Sequence, residues 1–392
     1  MKTKLILAIA TPLCLAACGN KDTVTVTVSN PTTEQLGTRS VEIPAAEVLG
    51  KLKTSGFYVT DSEGTEIPSQ LTYDHKILFS ADVPAGTEKK FTIHPSDSIH
   101  TYTTTVSGDF YPKRRDDIAY ENELVGFRLY GPGTQKAGEK SFGYDLFLKH
   151  PTSELIVPSL YAAQTSEENW AKVDSLRKVD PAEADKFEKS FTYHLDHGKG
   201  MDCYAVGATL GAGVAALLVN DSIAYPWCYD TAEILDNGPL RFTLAMNFAP
   251  KAIGTAPAVT EHRLITLDSQ SHLNNCKVWY EGFDGDKTIV TGFPLRDDSE
   301  VIKDSEKGII AYADPTQGPD NGKALVGVVL NSKPDSILMK EKHVLMSRTL
   351  SPTDTLSYSW GFAWDRTDIP SLNDWKQYLN NSNLNYTVTL NP

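Results

Sequence analysis

The sequence predicts an all-β fold with few, short helices: a small N-terminal β-sandwich followed by a large antiparallel β-supersandwich. Apolar and polar residues alternate with a period of two through much of the chain, as in Val24 to Val28, which is typical of strands with one buried face. Clusters of turn residues, such as Asp61 to Gly64, separate these short runs. Segments with helical periodicity are rare, which argues against a mixed fold.

The first predicted domain spans residues 18–97 and forms the small sandwich. Short alternating segments separated by turns are typical of such sandwiches. The predicted strands are 23–28, 41–43, 57–59, 77–79 and 91–93. The polar stretch 95–98 marks the predicted boundary with the next domain.

The second predicted domain spans residues 98–392 and is rich in strands. Its predicted strands are 127–130, 191–195, 203–209, 215–219, 241–248, 264–267, 277–280, 309–312 and 324–330. Three helices are predicted at 166–178, 181–187 and 371–379, the second with an N-cap at Asp180 and a proline at its first position. The number and length of the strands favour a supersandwich over a smaller jelly roll.

Residues 1–17 are predicted to be the signal peptide of a lipoprotein. Lys2 and Lys4 precede an apolar run, and small residues lead to Cys18. Cleavage before Cys18 would leave its thiol to carry lipid, so the protein would be anchored in the cell envelope, at the outer membrane, on its surface or periplasmic face. An ordinary signal peptide with a chance cysteine is the alternative. An extracytoplasmic location argues against ATP or NAD chemistry.

Composition excludes several classes of function. The formal charge is −13, and it becomes −15 when the two lysines of the signal are removed, which argues against a nucleic-acid partner. No later segment approaches the roughly 18 apolar residues of a spanning helix. The cysteines at 203, 228 and 276 have no regular spacing, which favours buried thiols and leaves one disulfide open. The sequence assigns no cofactor and leaves a metal requirement undecided.

Charged residues are concentrated in segment 114–122, directly before the predicted strand 127–130. That strand places its apolar residues on one face and Arg128 and Tyr130 on the other. An arginine binds a sugar carboxylate with two parallel hydrogen bonds, so this segment is a candidate site. The alternative is a structural ion network at the domain junction. The candidate residues are Arg115, Asp117, Glu121, Asn122, Arg128 and Tyr130.

Segment 194–202 is a second candidate site. On the predicted strand His194 and Asp196 share one face, and His197 lies where the strand gives way to a glycine-rich turn that leads to Asp202. A histidine beside a carboxylate serves as a base or as a metal ligand. A polar turn or a core histidine is the alternative.

Two further patterns are weaker. Glu261 and Arg263 share one face of a predicted strand, and a surface ion pair on an edge strand is the favoured interpretation. Trp360, Phe362 and Trp364 also share a face, which fits either a platform for stacking sugar rings or, preferentially, the hydrophobic core.

The two charged segments resemble the signatures of DUF 4861, a domain of unknown function found in exported bacterial lipoproteins. The similar stretches are 115–122 with 127–132, then 193–204, and 358–361 near the end. The resemblance covers about residues 20–390. Members often occur beside, or fused to, unsaturated rhamnogalacturonyl hydrolases in polysaccharide-degradation gene clusters. The resemblance therefore implies a pectin-like, uronic-acid-rich glycan partner and a fold like galactose mutarotase and polysaccharide lyase domains, but no catalytic residues.

The leading hypothesis is an enzyme that cleaves such glycans. Cleavage by β-elimination needs a base, a cation that stabilises the enolate and an acid for the leaving oxygen. The candidates are His194 or His197, Arg115 or Arg128, and Tyr130 or Tyr193. Hydrolysis would instead use two carboxylates, such as Asp117 with Glu121 or Asp196 with Asp202.

Glycan capture without catalysis is the alternative function, and a scaffold in an outer-membrane uptake complex is a third. In the capture hypothesis the aromatic residues would matter more than the histidines. The substrate-binding candidates are Asp117, Glu121, Asn122, Asp202, Trp360 and Trp364. Convergence of His194, Asp196, Arg115 and Arg128 in one cleft would favour an enzyme.

Overall fold

The computed structural model describes residues 22–318 and 320–391. The predicted signal peptide and Cys18, the predicted site of lipidation, lie outside the described residues. Strands hold 43% of the residues and helices 15%, which confirms the all-β prediction. None of the helices in the described ranges is long and apolar enough to cross a membrane.

The elements are numbered in chain order. The strands are β1 (Val24–Ser29), β2 (Arg39–Pro44), β3 (Gly56–Thr60), β4 (Glu66–Ile67), β5 (Ser69–Leu71), β6 (Lys76–Ala81), β7 (Glu88–Ser96), β8 (Ser107–Tyr111), β9 (Asp117–Glu121), β10 (Gly126–Leu129), β11 (Asp145–Lys149), β12 (Gly200–Met201), β13 (Ala215–Val219), β14 (Ser222–Ala224), β15 (Thr231–Asn237), β16 (Arg241–Asn247), β17 (Lys251–Ile253), β18 (Ala256–Asp268), β19 (Leu273–Glu281), β20 (Lys287–Pro294), β21 (Val301–Asp304), β22 (Ile309–Asp314), β23 (Ala324–Leu330), β24 (Ser336–Lys340), β25 (His343–Leu350), β26 (Leu356–Trp364) and β27 (Thr387–Asn391). The helices are α1 (Ala45–Leu52), α2 (Pro132–Lys136), α3 (Val157–Gln164), α4 (Glu167–Arg177), α5 (Pro181–Lys189) and α6 (Leu372–Ser382), and a 3-10 turn covers Pro112–Arg114.

The small N-terminal sandwich has one five-stranded and one three-stranded sheet. Their orders are β27-β1-β7-β3-β4 and β2-β6-β5. Alternate residues of β1 point into a shared core, as the valine pattern predicts, and Phe79 of one sheet meets Phe91 of the other with ring centres 4.9 Å apart. Helix α1 packs Val48 and Leu52 onto the same core. The two sheets thus bury each other's apolar faces.

The last strand of the chain belongs to this small sandwich. Strand β27 pairs antiparallel with β1, with Val388 opposite Val28. The predicted second domain, which ran to residue 392, therefore contains a strand of the first unit. Local periodicity cannot show this, because the pairing joins residues more than 350 positions apart along the sequence. The boundary near residue 97 stays a prediction.

The large unit is a two-layered antiparallel supersandwich, as predicted. One layer is a nine-stranded sheet, β15-β16-β18-β19-β26-β23-β22-β21, with β17 beside β18. The other layer contains two five-stranded sheets, β12-β11-β10-β9-β8 and β14-β13-β20-β25-β24. Phe127 of β10 reaches across the layers to Trp360 and Phe362 of β26, with ring centres 5.0 and 5.6 Å away. A single hydrophobic core joins all three sheets.

Helices cover parts of the outer faces. Helix α6 packs Trp375 and Leu379 against the outer face of the nine-stranded sheet. Helix α3 packs Tyr161 against Phe147 on the outer face of the β8–β12 sheet. Most of the predicted site residues belong to this β8–β12 sheet or to the segments beside it.

Two predicted strands are wrong, and the three predicted helices are present. Segment 191–195 is a turn and segment 203–209 is irregular. The Asp196 carboxylate accepts hydrogen bonds from the amides of Gly198 and Gly200, which closes a turn where alternation had indicated a strand. Helices α4, α5 and α6 each begin with an N-cap side chain, as a serine or aspartate before a helix predicts.

The aromatic platform on β26 is a correction to the sequence analysis. Trp360 and Phe362 are fully buried and Trp364 is 2% exposed, because their shared face is the inner face of the nine-stranded sheet. The indole of Trp364 donates to the carbonyl of Asn321. Trp360 and Trp364 are therefore core residues and not substrate-binding residues.

We expect Trp360→Ala to lower the free energy of unfolding by about 3–5 kcal/mol, the range for removing a buried tryptophan. Denaturant unfolding measures the effect. The control is Ile99→Ala, since Ile99 is 90% exposed and should change stability little. A Trp360 variant as stable as the parent would contradict the core assignment.

Candidate functional site

Arg128 lies at the centre of a buried ion network. Its guanidinium donates to Asp117 at 2.8 Å, to Asp145 at 3.2 Å and to Asp202 at 3.1 Å. The arginine side chain is 4% exposed, and the three carboxylates are buried. Tyr130 donates its hydroxyl hydrogen to Asp145 at 2.8 Å and stacks its ring on the guanidinium. Of the predicted residues, Arg128, Asp117, Asp202 and Tyr130 thus converge.

The sheet order brings these side chains together. Arg128 on β10 stands opposite Asp145 on β11, while Asp117 lies on the other neighbour, β9. Asp202 follows β12, which pairs with β11. Alternation along β10 sends Phe127 into the core and Arg128 to the opposite face, as the sequence predicts. Asp145 escaped sequence analysis because only the strand pairing places it beside Arg128.

Three carboxylates surround the guanidinium of Arg128, and the charge of Arg114 nearby acts to lower the pKa of Asp117 and of Asp202. Burial, together with the charge of the nearby Asp202 and against the opposing charge of Arg128, raises the pKa of Asp145 to about 7. Burial likewise raises the pKa of Asp202 to about 6 and raises that of Asp117. Three carboxylates around one guanidinium cannot all be ionised without cost. The network therefore retains a proton near neutral pH.

His194 lies at the surface of this network. Its Nδ1 is 2.9 Å from the carbonyl oxygen of Asp202 and 3.8 Å from the carboxylate of the same residue. Because a carbonyl only accepts, Nδ1 carries the hydrogen, and Nε2 keeps the lone pair of the neutral ring. The side chain is 52% exposed. The imidazole thus has the tautomer of an accessible base.

Arg114 is a cation that sequence analysis passed over in favour of Arg115. Its Nε donates to the hydroxyl of Tyr193 at 2.9 Å, and the ring of Tyr193 meets that of His194 with centres 4.7 Å apart. Among the described residues Arg114 has no ion pair. Arg115 instead adopts a left-handed backbone, with φ of 58°, and its side chain pairs with Glu139 at the surface. The adjacent arginines cannot be told apart by sequence because this turn decides which one faces Tyr193.

The other turn residues do not join the network. Asp196 pairs with His150 at 2.8 Å and holds the turn. His197 places Nε2 3.0 Å from the carbonyl of Thr192. Asp196 was expected on a strand face with His194, and His197 at the end of that strand, but the turn separates both from His194. Asp196 and His197 are therefore turn-forming residues rather than partners of Arg128.

Arg115, Glu121 and Asn122 also lie apart from it. Glu121 is buried and accepts from Lys149 at 2.6 Å, on the same strand as Asp117 but farther along. Asn122 donates to the carbonyls of Asp268 and Ser271, which ties the hairpin to the nine-stranded sheet. These contacts are structural, so the substrate-binding assignments of Glu121 and Asn122 are corrected.

The pair Glu261 and Arg263, expected on an exposed edge, is buried. Strand β18 lies between β16 and β19, and both side chains point to its inner face. Arg263 is 2% and Glu261 12% exposed at the side chain. Alternation gave their shared face correctly, but only the strand order shows that this face lies inside the sandwich.

Residues 28–388 match the model of a family described as "Domain of unknown function (DUF4861)". The chain belongs to this family. "Uncharacterized protein P7" of Formosa agariphila is 27% identical over 360 residues, which are 88% of this chain and 82% of that protein. The family resemblance seen in the sequence motifs is thereby confirmed.

Two solved structures from Enterococcus faecalis are similar to this DUF4861 chain. A protein in glycosyl hydrolase family 38 has a TM-score of 0.50 at 8% identity, covering 94% of this chain and 47% of that one. An α-mannosidase from strain V583 has a TM-score of 0.49 at 8% identity, with 94% and 46% covered. This chain spans about half the length of each. At this identity the first similarity shows the fold alone.

Cysteine and metal chemistry add little to the site. Cys203 and Cys276 are buried free thiols, and Cys228 is a half-buried one. The described ranges contain no group of three or more His, Cys, Asp or Glu arranged to hold a metal ion.

We expect Asp202→Asn to reduce the pH dependence of stability. The pKa values of Asp145 and Asp202 lie above 3.8 in the folded protein. Between about pH 4 and pH 7 the folded state therefore keeps a proton that the unfolded state has already lost. Wild-type stability attributable to the network therefore falls as pH rises through that window. The variant removes one charge while its amide oxygen can still accept from Arg128.

Thermal unfolding at pH 5 and pH 8 measures this effect. The Tm of Asp202→Asn minus the Tm of wild type should be larger at pH 8 than at pH 5, by about 2 °C or more. The control is Asp174→Asn on the exposed side of α4, which should show no such change. Equal pH dependence in Asp202→Asn and wild type would refute proton retention by the network.

Proposed function

We propose that this protein is a carbohydrate-active enzyme that cleaves uronic-acid-rich, pectin-like glycans by β-elimination at the surface of the Arg128 network. The carrying observation is the orientation of His194, whose Nδ1 is held by the Asp202 carbonyl while the side chain as a whole is 52% exposed. A fixed tautomer with an accessible lone pair is what a general base requires. His194 is therefore the proposed base.

Arg114 replaces Arg115 and Arg128 as the proposed cation. Arg128 is surrounded by three carboxylates, so its charge is already more than balanced and it has none to offer an enolate. Arg115 pairs with Glu139 away from His194. Arg114 is half-buried, makes no ion pair among the described residues and donates to Tyr193, whose ring meets that of His194. Against the effect of burial, the charge of Asp117 acts on Arg114 from a distance and raises its pKa. A substrate carboxylate would complete the hydrogen bonds of Arg114.

The proposed reaction balances with these groups. Nε2 of His194 takes the proton from C5 of the uronate, the C4–O bond breaks, and a C4=C5 double bond forms. The leaving oxygen takes a proton from the imidazolium or from water. We assign no role as acid to the tyrosines, because the hydrogen of Tyr130 is donated to Asp145 and Tyr193 is fully buried.

Hydrolysis is less well supported. It needs two carboxyl groups on either side of the bond to be cut, with space between them for the sugar. Asp117 and Asp202 are buried on one guanidinium, and Glu121 is buried on Lys149. Asp196 is accessible but is engaged in its turn. The candidate carboxyl pairs thus leave no room for a substrate.

The glycan class and the location are proposals that rest on sequence. The motif resemblance implies uronic-acid-rich glycans, and the similarity to a protein of glycosyl hydrolase family 38 supports carbohydrate handling at the level of fold analogy. The Leu15-Ala16-Ala17-Cys18 stretch supports a lipid anchor in the cell envelope. Glycan capture without cleavage is the alternative outcome of the experiment below.

We expect His194→Ala to lower turnover about 100-fold or more, as loss of an acid–base group typically does. The assay incubates the protein with pectic fragments and follows the ultraviolet absorbance of unsaturated uronate ends. The matched control is His75→Ala, which alters an exposed histidine in the small sandwich and should leave turnover unchanged. The variant should fold normally, because His194 is largely exposed.

Two outcomes would contradict this proposal. Equal activity of wild type and His194→Ala would exclude the base assignment. Binding of pectic fragments without unsaturated or reducing ends would establish the capture function in place of cleavage.

We expect Cys18→Ser to release the protein from the membrane fraction, because the serine oxygen cannot take the thioether-linked lipid. Fractionation of cells expressing each form measures it. The matched control is Cys14→Ser, within the apolar run of the same signal. A Cys18→Ser protein that stays membrane-bound as the wild type does would refute the lipid anchor.

A further inference from the structure

A cleft of about 220 Å³ enters the sandwich at a place remote in sequence from the His194 turn. Along the inner face of β18, Leu267 and Ile265 belong to the hydrophobic core, while Arg263 and Glu261 replace apolar residues farther along the strand. Residues 225–228, which follow β14, line the cleft together with Glu261. The layers therefore enclose a lined space rather than more core at this end.

Glu261 lines the cleft, and its carboxylate is paired with Arg263, which is buried next to it and is not itself a lining residue. Arg263 donates to Glu261 at 2.5 Å, to the hydroxyl of Tyr144 at 2.9 Å and to the carbonyl of Ala215 at 3.2 Å. Burial raises the pKa of Glu261, and the charge of Arg263 opposes that rise. Buried charges are costly, and core residues would serve packing better. A carboxylate that is held in one orientation on the lining of a cleft is a group that orients a polar ligand.

The wall of the cleft is aromatic. Tyr225 and Trp227 line it, and both rings pack on Phe142 behind them, with centres 5.0 and 5.2 Å away. Phe248 lies on the other side, under the guanidinium of Arg263. Rings held this way present a fixed flat surface, to which the apolar face of a sugar ring is complementary.

Lys251 stands at the rim of the cleft without a carboxylate partner. Its amine is 6.0 Å from the centre of the Trp227 ring, and among the described residues it makes no ion pair. Burial lowers the pKa of Lys251, and the negative charge of Glu261 partly opposes this lowering. Because Glu261 is balanced by Arg263, these three groups carry one net positive charge in a chain of formal charge −13. The cleft therefore favours an anion.

We propose that this cleft binds a single sugar ring that carries a carboxylate, with the carboxylate on Lys251, a hydroxyl on Glu261 and the ring face on Trp227. Its volume is below the roughly 300–1,000 Å³ of sites for larger ligands, so it takes one ring of a chain or a released monosaccharide. The choice of a sugar rests on the proposed function. The site itself is distinct from the His194 surface.

Isothermal titration calorimetry with galacturonate and with the neutral sugar galactose tests the proposal. Galacturonate should bind at least about tenfold more tightly, since a hydrogen bond to a charged group contributes about 1.5–3 kcal/mol. Lys251→Met keeps the aliphatic stem and should abolish that preference. Lys277→Met, on the outer face of β19, is the matched control and should change nothing.

Trp227→Ala should weaken both sugars, because stacking does not depend on the charge. Equal binding of the two sugars, absence of binding, or an unchanged preference in Lys251→Met would overturn the proposal. His194→Ala separates it from the proposed function, because that variant should bind galacturonate normally. If pectic fragments are cleaved through His194 but galacturonate shows no binding that depends on Lys251, the cleft proposal fails and the proposed function stands.

Discussion

The guanidinium of Arg128 is the group on which the arrangement of the outer face depends. It donates hydrogen bonds to carboxylates on β9, on β11 and in the segment after β12, so one side chain ties together most of a five-stranded sheet. Removing it would leave buried carboxylates unpaired, a loss that costs about 3–5 kcal/mol. The Asp202 backbone held in this way is what fixes the ring of His194.

The two proposed ligand surfaces have a similar arrangement of charged groups. In each, a buried arginine is saturated by carboxylates, and a second cation nearby lacks a carboxylate: Arg114 beside the Arg128 network, and Lys251 beside Glu261 and Arg263. A saturated pair supplies rigid polar geometry at low net charge. The unpaired cation supplies attraction for an anion. The chain as a whole is strongly acidic, so a cation without an ion pair is a local exception. Arg114 and Lys251 are two such cations, and both support acidic sugars as ligands.

Several features could be predicted from sequence because they are local. Alternation placed Phe127 on the inner face of its strand and Arg128 on the outer face, since neighbouring residues of any strand point in opposite directions. Asp180 marked the start of α5 because an N-cap side chain acts on the helix that directly follows it. Segment 191–195 was mistaken for a strand because the turn that it enters is closed by one carboxylate, Asp196, which a two-residue period does not register.

The sequence by itself determined the all-β class, the alternation of faces and the family, because each is encoded in short stretches of chain. The tertiary structure decided which residues meet. Asp145 joins Arg128 only through strand pairing, and Glu261 became a cleft residue only because β18 is central in its sheet. The choice of Arg114 over Arg115 depended on one left-handed backbone conformation. Long-range strand pairing and backbone turns fix these contacts, and neither can be deduced from the spacing of residues along the sequence.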